Sequence, residues 1–163
     1  MVNINKNSER ENELILNIQF MEENGATGCP EFVKLLNELG SIHEGRHEFS
    51  EAEQIYLRSS KAMNAVFDHG RNVQRLRIKT ICNLGRVLRL QAKHVKAERI
   101  FFKALVIADQ SFGPTHIEFA RVLRHLGVLY ENMGHLNEAK PLYRKALSIL
   151  DNKLGLKRIE VAA

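Results

Sequence analysis

The side chains with the most chemistry to offer are seven histidines, two cysteines and an excess of lysine and arginine. His43 and His47 stand four apart, the spacing that puts two metal ligands on one helix face, with Glu44 and Glu48 beside them. The pattern fixes no third ligand, so a polar residue adapted to a core position is the better reading, and no metal or other cofactor is expected. Cys82 has Lys79 and Arg86 one turn away on either side, and cations there favour a thiolate. No base or orienting group is paired with it by position. Cys29, just before Pro30, reads as a loop residue. No glycine-rich phosphate loop, nucleophile elbow or metal motif occurs. These residue types point to binding rather than catalysis.

The cations are unevenly spread. The chain of 163 residues carries a formal net charge of +5. Residues 1–53 hold four basic and eleven acidic side chains, a net of −7, and residues 54–163 hold the balance, a net of +12. Between Arg71 and Lys103 ten Lys and Arg face one acid, Glu98. Such a stretch invites a nucleic-acid reading. Single strands, however, are held by exposed aromatic side chains interleaved with the charges. Residues 71–103 offer only Phe101 and Phe102, and Phe101 has another task described below. Nucleic acid is therefore the alternative partner rather than the leading one. No apolar run approaches the roughly 18–20 residues of a membrane span. Two cysteines cannot make a disulfide scaffold, so a reducing, cytoplasmic setting is expected.

The elements that position these residues show in a repeat. Leu39-Gly40, Leu84-Gly85 and Leu126-Gly127 recur at intervals of 45 and 42 residues. Thirteen residues after each leucine comes Ala52, Ala97 or Ala139. Four further on stands Tyr56, Phe101 or Tyr143, and three after that Ser59, Ala104 or Ala146. Periods of this size mean stacked supersecondary units. Apolar spacing within each unit is helical: Leu36, Leu39, Gly40 and His43; Ile81, Leu84, Gly85 and Leu88; Leu123, Leu126, Gly127 and Tyr130. A glycine inside a helix costs about 1 kcal/mol relative to alanine. It belongs here if a neighbouring helix approaches so closely that a side chain would clash. The aromatic is expected to fill the wedge where the two helices splay.

The offsets predict helices near 8–24, 30–45, 50–68, 73–92, 95–112, 116–133 and 137–154. Ser8…Glu11 and Ser50…Glu53 read as capping boxes, Asn137 as an N-cap, and Pro141 as a first-turn proline. The longer first period is assigned to residues 69–74. The chain divides into an N-terminal half-repeat at 8–29, repeats at 30–70, 71–113 and 114–155, and a tail at 156–163.

These motifs resemble the tetratricopeptide repeat, in the long-period variety of kinesin light chains and bacterial arrays. The fit is closest over His116-Ile117-Glu118-Phe119-Ala120, Leu123, Leu126-Gly127, Tyr130, Gly134, Glu138-Ala139, Tyr143 and Ala146-Leu147. The resemblance covers about residues 32–155. It implies an all-α fold, a right-handed α-α superhelix of about three helix-turn-helix repeats behind an N-terminal half-repeat. It further implies a non-catalytic protein-interaction scaffold with a concave groove.

In such a stack the first helix of each pair lines the concave face. Offset from the core stripe, the groove positions are Lys34, Asn37, Glu38 and Ser41, then Lys79, Cys82, Asn83, Arg86 and Arg89, then Arg121, Arg124, His125 and Val128. The expected peptide-binding residues are Asn37, Lys79, Asn83, Arg86, Arg89, Arg121, Arg124 and His125. Guanidinium forks match carboxylates, and Asn side chains can donate to and accept from an extended backbone. The expected partner is an acidic peptide or acidic protein surface. The arrangement resembles the carboxylate-clamp branch of the family, with Ser41 where that branch uses Asn. Self-association through the repeat ends, acidic pole to basic region, is a further possibility.

Overall fold

A computed structural model of the chain describes residues 2–162, with side chains described from residue 8 to residue 152. Among the described residues seven helices follow one another: α1 (Val2–Glu23), α2 (Pro30–Gly45), α3 (Phe49–Asn64), α4 (Arg71–Leu90), α5 (His94–Phe112), α6 (Ile117–Asn132) and α7 (Leu136–Ala162). Among the described residues there is no strand. Each of α2, α4 and α6 pairs with the helix after it, and the three pack on one another in order as an inner layer. The helices α3 and α5 each bridge to the next pair, and α1 leans on α2 as the second half of a preceding unit. The all-α array of three pairs behind a half-repeat is as the sequence predicts.

The glycine argument holds, with a sharper cause. A Cβ on Gly40, Gly85 or Gly127 would stand 2.6, 2.6 and 2.7 Å from the ring of Tyr56, Phe101 and Tyr143 respectively. The aromatic therefore does not merely fill a wedge. It lies on the bare backbone, and the glycine makes its seat. Ala52 and Ala97 are fully buried at the same crossings, and Ala139 nearly so. The continuous core runs from Ala52 and Tyr56 through α4 and α5 to Leu129 and Ile149.

Within each pair one turn recurs. Glu48 N–H bonds to the His43 carbonyl and His47 N–H to the Glu44 carbonyl. Lys93 to Leu88 with Ala92 to Arg89, and His135 to Tyr130 with Gly134 to Glu131, repeat that geometry. This is the Schellman closure, which needs one left-handed residue. His47 (φ 61°), Ala92 (φ 56°) and Gly134 (φ 78°) fill that place. Only the third is the residue the geometry prefers.

Several predicted helix starts are corrected. Helix α1 begins before Ser8, so Ser8…Glu11 is no capping box. Helix α3 follows Glu48 with no side-chain cap, which places Ser50 inside it. Leu136 opens α7, so Asn137 is not its N-cap and Pro141 falls in the second turn. For α3 and α7 the reason is the Schellman turn. It carries the chain from one helix directly into the next, with Glu48 and His135 carbonyls already accepting from Ala52 and Ala139. The expected tail from residue 156 is helical to Ala162, and its side chains lie outside the described residues. The longer first period is taken up by a six-residue connection, 65–70, and an added first turn on α4. Helix α3 ends at Asn64 rather than near residue 68.

Candidate functional site

The concave face is built by α2, α4 and α6, and its centre is α4. Leu76 and Ile81 turn into the core, which leaves Lys79, Asn83 and Arg86 along the opposite stripe. With Arg121, Arg124 and His125 of α6 they border one cavity of about 540 Å³. Asn37 of α2 joins Lys79, Asn83 and Arg86 around an adjoining cavity of about 430 Å³. Seven of the eight predicted residues thus meet in one continuous groove. Arg89 borders neither cavity. Half-buried beyond the groove's end, it is placed to donate to the Asn132 amide oxygen at 2.8 Å, in the amide orientation that satisfies both Asn132 atoms. Burial and Arg86 lower its pKa.

The wall is less free than the sequence suggests. Arg86 holds Glu44 of α2 with two 2.6 Å hydrogen bonds, and Tyr56 donates to the same carboxylate at 3.1 Å. Burial opposes the Arg86 charge, and Glu44 more than restores it, leaving its pKa raised. Arg121 donates to Glu118 at 3.0 Å, and Arg75 stands 3.7 Å from that carboxylate. Glu118 is itself buried on the groove wall. The wall thus carries its own acids, and both flanking arginines are already neutralised within the molecule. Lys34 likewise pairs with Glu31 at 3.0 Å.

What remains is a compact set. Lys79 and Arg124 are exposed and make no ion pair among the described residues. Between them Asn83, 8% exposed, makes no hydrogen bond among the described residues. Its amide lines both cavities, where it can exchange water for a ligand's backbone groups. Asn37 differs. Its amide donates to Thr80 at 2.7 Å and accepts from Ser59 at 3.1 Å, so it joins helices rather than awaiting a ligand.

His125 lies flat against Phe101, with ring centroids 5.4 Å apart and planes 5° from parallel. Burial pushes its pKa down to about 4, helped by Arg124, Arg86 and Arg89. The ring is therefore a neutral floor at pH 7. Cys82 is corrected as well. Burial raises its pKa to about 12, Glu118 adds to the rise, and Arg86 and Arg124 only oppose it. A reactive thiolate is not favoured there.

His43 bonds Glu48 at 2.6 Å and stands 3.5 Å from Glu11, which Arg46 holds at 2.7 Å. Among the described residues no group of three metal ligands occurs. The basic stretch 71–103 is divided by the fold. Arg86 belongs to the groove, while Lys93 crosses to Glu53 at 2.6 Å on the outer layer. Phe101 is buried and Phe102 is half exposed on the other side of α5. Glu118 could have been found from its place three residues before Arg121 on one helix face. The Glu44–Arg86 contact spans 42 residues and has no local signal.

Residues 76–152 match a family model described as Tetratricopeptide repeat. No curated protein matches the sequence. Among solved structures, BtubC (BKLC) from P. vanneervenii superposes with a TM-score of 0.76 at 17% identity, covering 93% of this chain. The chain spans 59% of that protein's length. A putative kinesin light chain from Podosopora anserina, made of nearly identical TPR-like repeats, gives 0.75 in a substituted form at 13% identity. That match covers 92% of this chain and 69% of the other. At these identities the likeness is one of fold. No helix among the described residues is long and apolar enough to cross a membrane.

Proposed function

From the premise that this chain carries tetratricopeptide repeats, we propose that it is a non-catalytic scaffold whose groove holds an extended acidic peptide segment. Tetratricopeptide repeats in general serve protein–protein interaction, and the acidic ligand is what this groove adds. The observation that carries the reading is the free set lining one cavity: Asn83 without a hydrogen-bond partner, and Lys79 and Arg124 without an ion pair, among the described residues. An extended chain offers backbone groups to such an amide and carboxylates to the two cations. Arg86 and Arg121 act as braces. Glu44 and Glu118 hold them in place and cancel most of their charge. A cytoplasmic setting accords with the two free cysteines.

The test is fluorescence anisotropy with labelled hexaglutamate at low salt. Each charge-assisted contact contributes about 1.5–3 kcal/mol. Lys79→Glu and Arg124→Glu should each weaken binding at least about tenfold, since tenfold is about 1.4 kcal/mol. Asn83→Leu should weaken it with no change in net charge. Unchanged affinity in all three variants removes the groove reading. A single-stranded RNA of the same length, bound tightly and with the same variants silent, would favour the nucleic-acid alternative.

A further inference from the structure

The inner joints of the array show how one unit receives the next. Helix α6 lies over the flank of α5 where Phe101, Ala104 and Ala108 are fully buried. The corresponding flank of α7 presents Tyr143, Ala146, Leu147 and Leu150, and no described element covers it. There α6 and α7 leave an apolar hollow of about 310 Å³, with Arg121 and Arg124 on its rim. Leu147 is 58% exposed. The hollow is a joint of the type the molecule fills twice within itself, with one cation unpaired among the described residues, Arg124, on its rim.

At the opposite end α1 carries a complementary stripe. Leu14 and Ile18 bury against α2. Helical spacing then turns Glu9, Glu13, Leu16, Phe20 and Glu23 away from the array. Leu16 and Phe20, one turn apart, are 65% and 66% exposed. Glu9 and Glu23 make no ion pair among the described residues. Two large apolar side chains flanked by the unpaired Glu9 and Glu23 match an apolar hollow edged by the unpaired Arg124.

We propose that copies of this chain associate head to tail, with the Leu16–Phe20 stripe of one seated in the α6–α7 hollow of the next. The contact is heterologous, using different surfaces on the two partners, so it propagates unless the rotation closes a ring. It is separate from the Asn83 floor of the groove, although Arg124 borders both.

Sedimentation of the full chain tests this. At about 0.01 M salt, where charges act over about 30 Å, the weight-average mass should climb above 18.7 kDa as concentration rises towards about 1 mM. At about 1 M salt, where the range is about 3 Å, it should fall back. Phe20→Asp and Leu147→Asp change exposed positions only, and each variant should remain at the monomer mass. Mixed in equal amounts, each still owns one intact surface, so they should form a species of twice that mass and nothing larger. Leu16→Glu should behave as Phe20→Asp does. Circular dichroism of each variant checks that the helices persist. A wild type that is monomeric throughout overturns the proposal. So does a mixture that fails to pair, or a Leu147→Asp variant that still associates alone.

Discussion

The second and third repeats place the same kind of residue in the same register and meet different surroundings. Phe101 lies on Gly85 and is sealed beneath α6, while Tyr143 lies on Gly127 with one edge open. Twelve residues before each aromatic stands the side chain that decides its chemistry. Before Tyr143 it is Glu131, which accepts the phenol at 2.7 Å, and before Phe101 it is Arg89, which has nothing to accept with. The first repeat agrees, with Glu44 before Tyr56. A buried hydroxyl needs an acceptor, so the array uses tyrosine where a carboxylate waits and phenylalanine where a cation does. Repeats that look interchangeable are matched to their own polar partners.

The strongest way to break this comparison is to remove the glycine seat in both units. Gly85→Ala should lose about 3 kcal/mol in urea denaturation, because a sealed Phe101 cannot retreat from a contact of 2.6 Å. Gly127→Ala should lose about 1 kcal/mol, since Tyr143 can swing towards solvent. Equal losses would mean that the covering helix does not matter.

Acid tests the cover over Phe101 next. The folded pKa of His125 lies near 4, below the ordinary value of 6.5, so the unfolded chain binds a proton that the fold refuses. Stability should therefore decline as pH falls from about 6.5 to about 4, by up to about 3 kcal/mol, with no further loss from this group below that. His125→Phe keeps the stacked ring and should flatten that part of the profile. Identical slopes would place the acid sensitivity elsewhere.

Exchanging the aromatics sharpens the polar half of the comparison. Phe101→Tyr buries a hydroxyl beside Arg89 without an acceptor and should cost about 2 kcal/mol. Tyr143→Phe loses one largely solvated hydrogen bond and should cost about 0.5 kcal/mol. The smallest effect belongs to the turns. Ala92→Gly relieves a left-handed alanine and should gain roughly 0.5–1 kcal/mol, a melting temperature about 1–4 °C higher. Gly134→Ala should lose a similar amount.

The architecture is legible in the sequence because its marks are local and periodic. Leu39-Gly40, Ala52 and Tyr56 state one helix crossing, and two further copies repeat the offsets. Helix starts are harder to read, because serine and asparagine near a boundary signal a cap only where the helix N-terminus needs one. Here the backbone turn at His43–Glu48 supplies its own closure. The groove positions follow from the stripe. Their electrostatics do not, because Arg86 meets Glu44 across a repeat and a charge count along the chain cannot see that pair. Glu118 is within reach of the sequence, three residues from Arg121. The free set of Lys79, Asn83 and Arg124 emerges only by subtraction of those pairs.

The polar junction of Asn37, Thr80 and Ser59 bears on how such a protein can change over generations. Repeat genes grow and shrink by copying or deleting whole units, which is tolerated when every joint is alike. Ser59 gives the first joint a partner that Ala104 and Ala146 do not offer at the same position. A copy of the first unit inserted before α6 would bring Ser59 with Asn37 but meet Val122 where Thr80 stands, and leave the amide N–H unmatched. The order of units along this chain is thus chemically keyed.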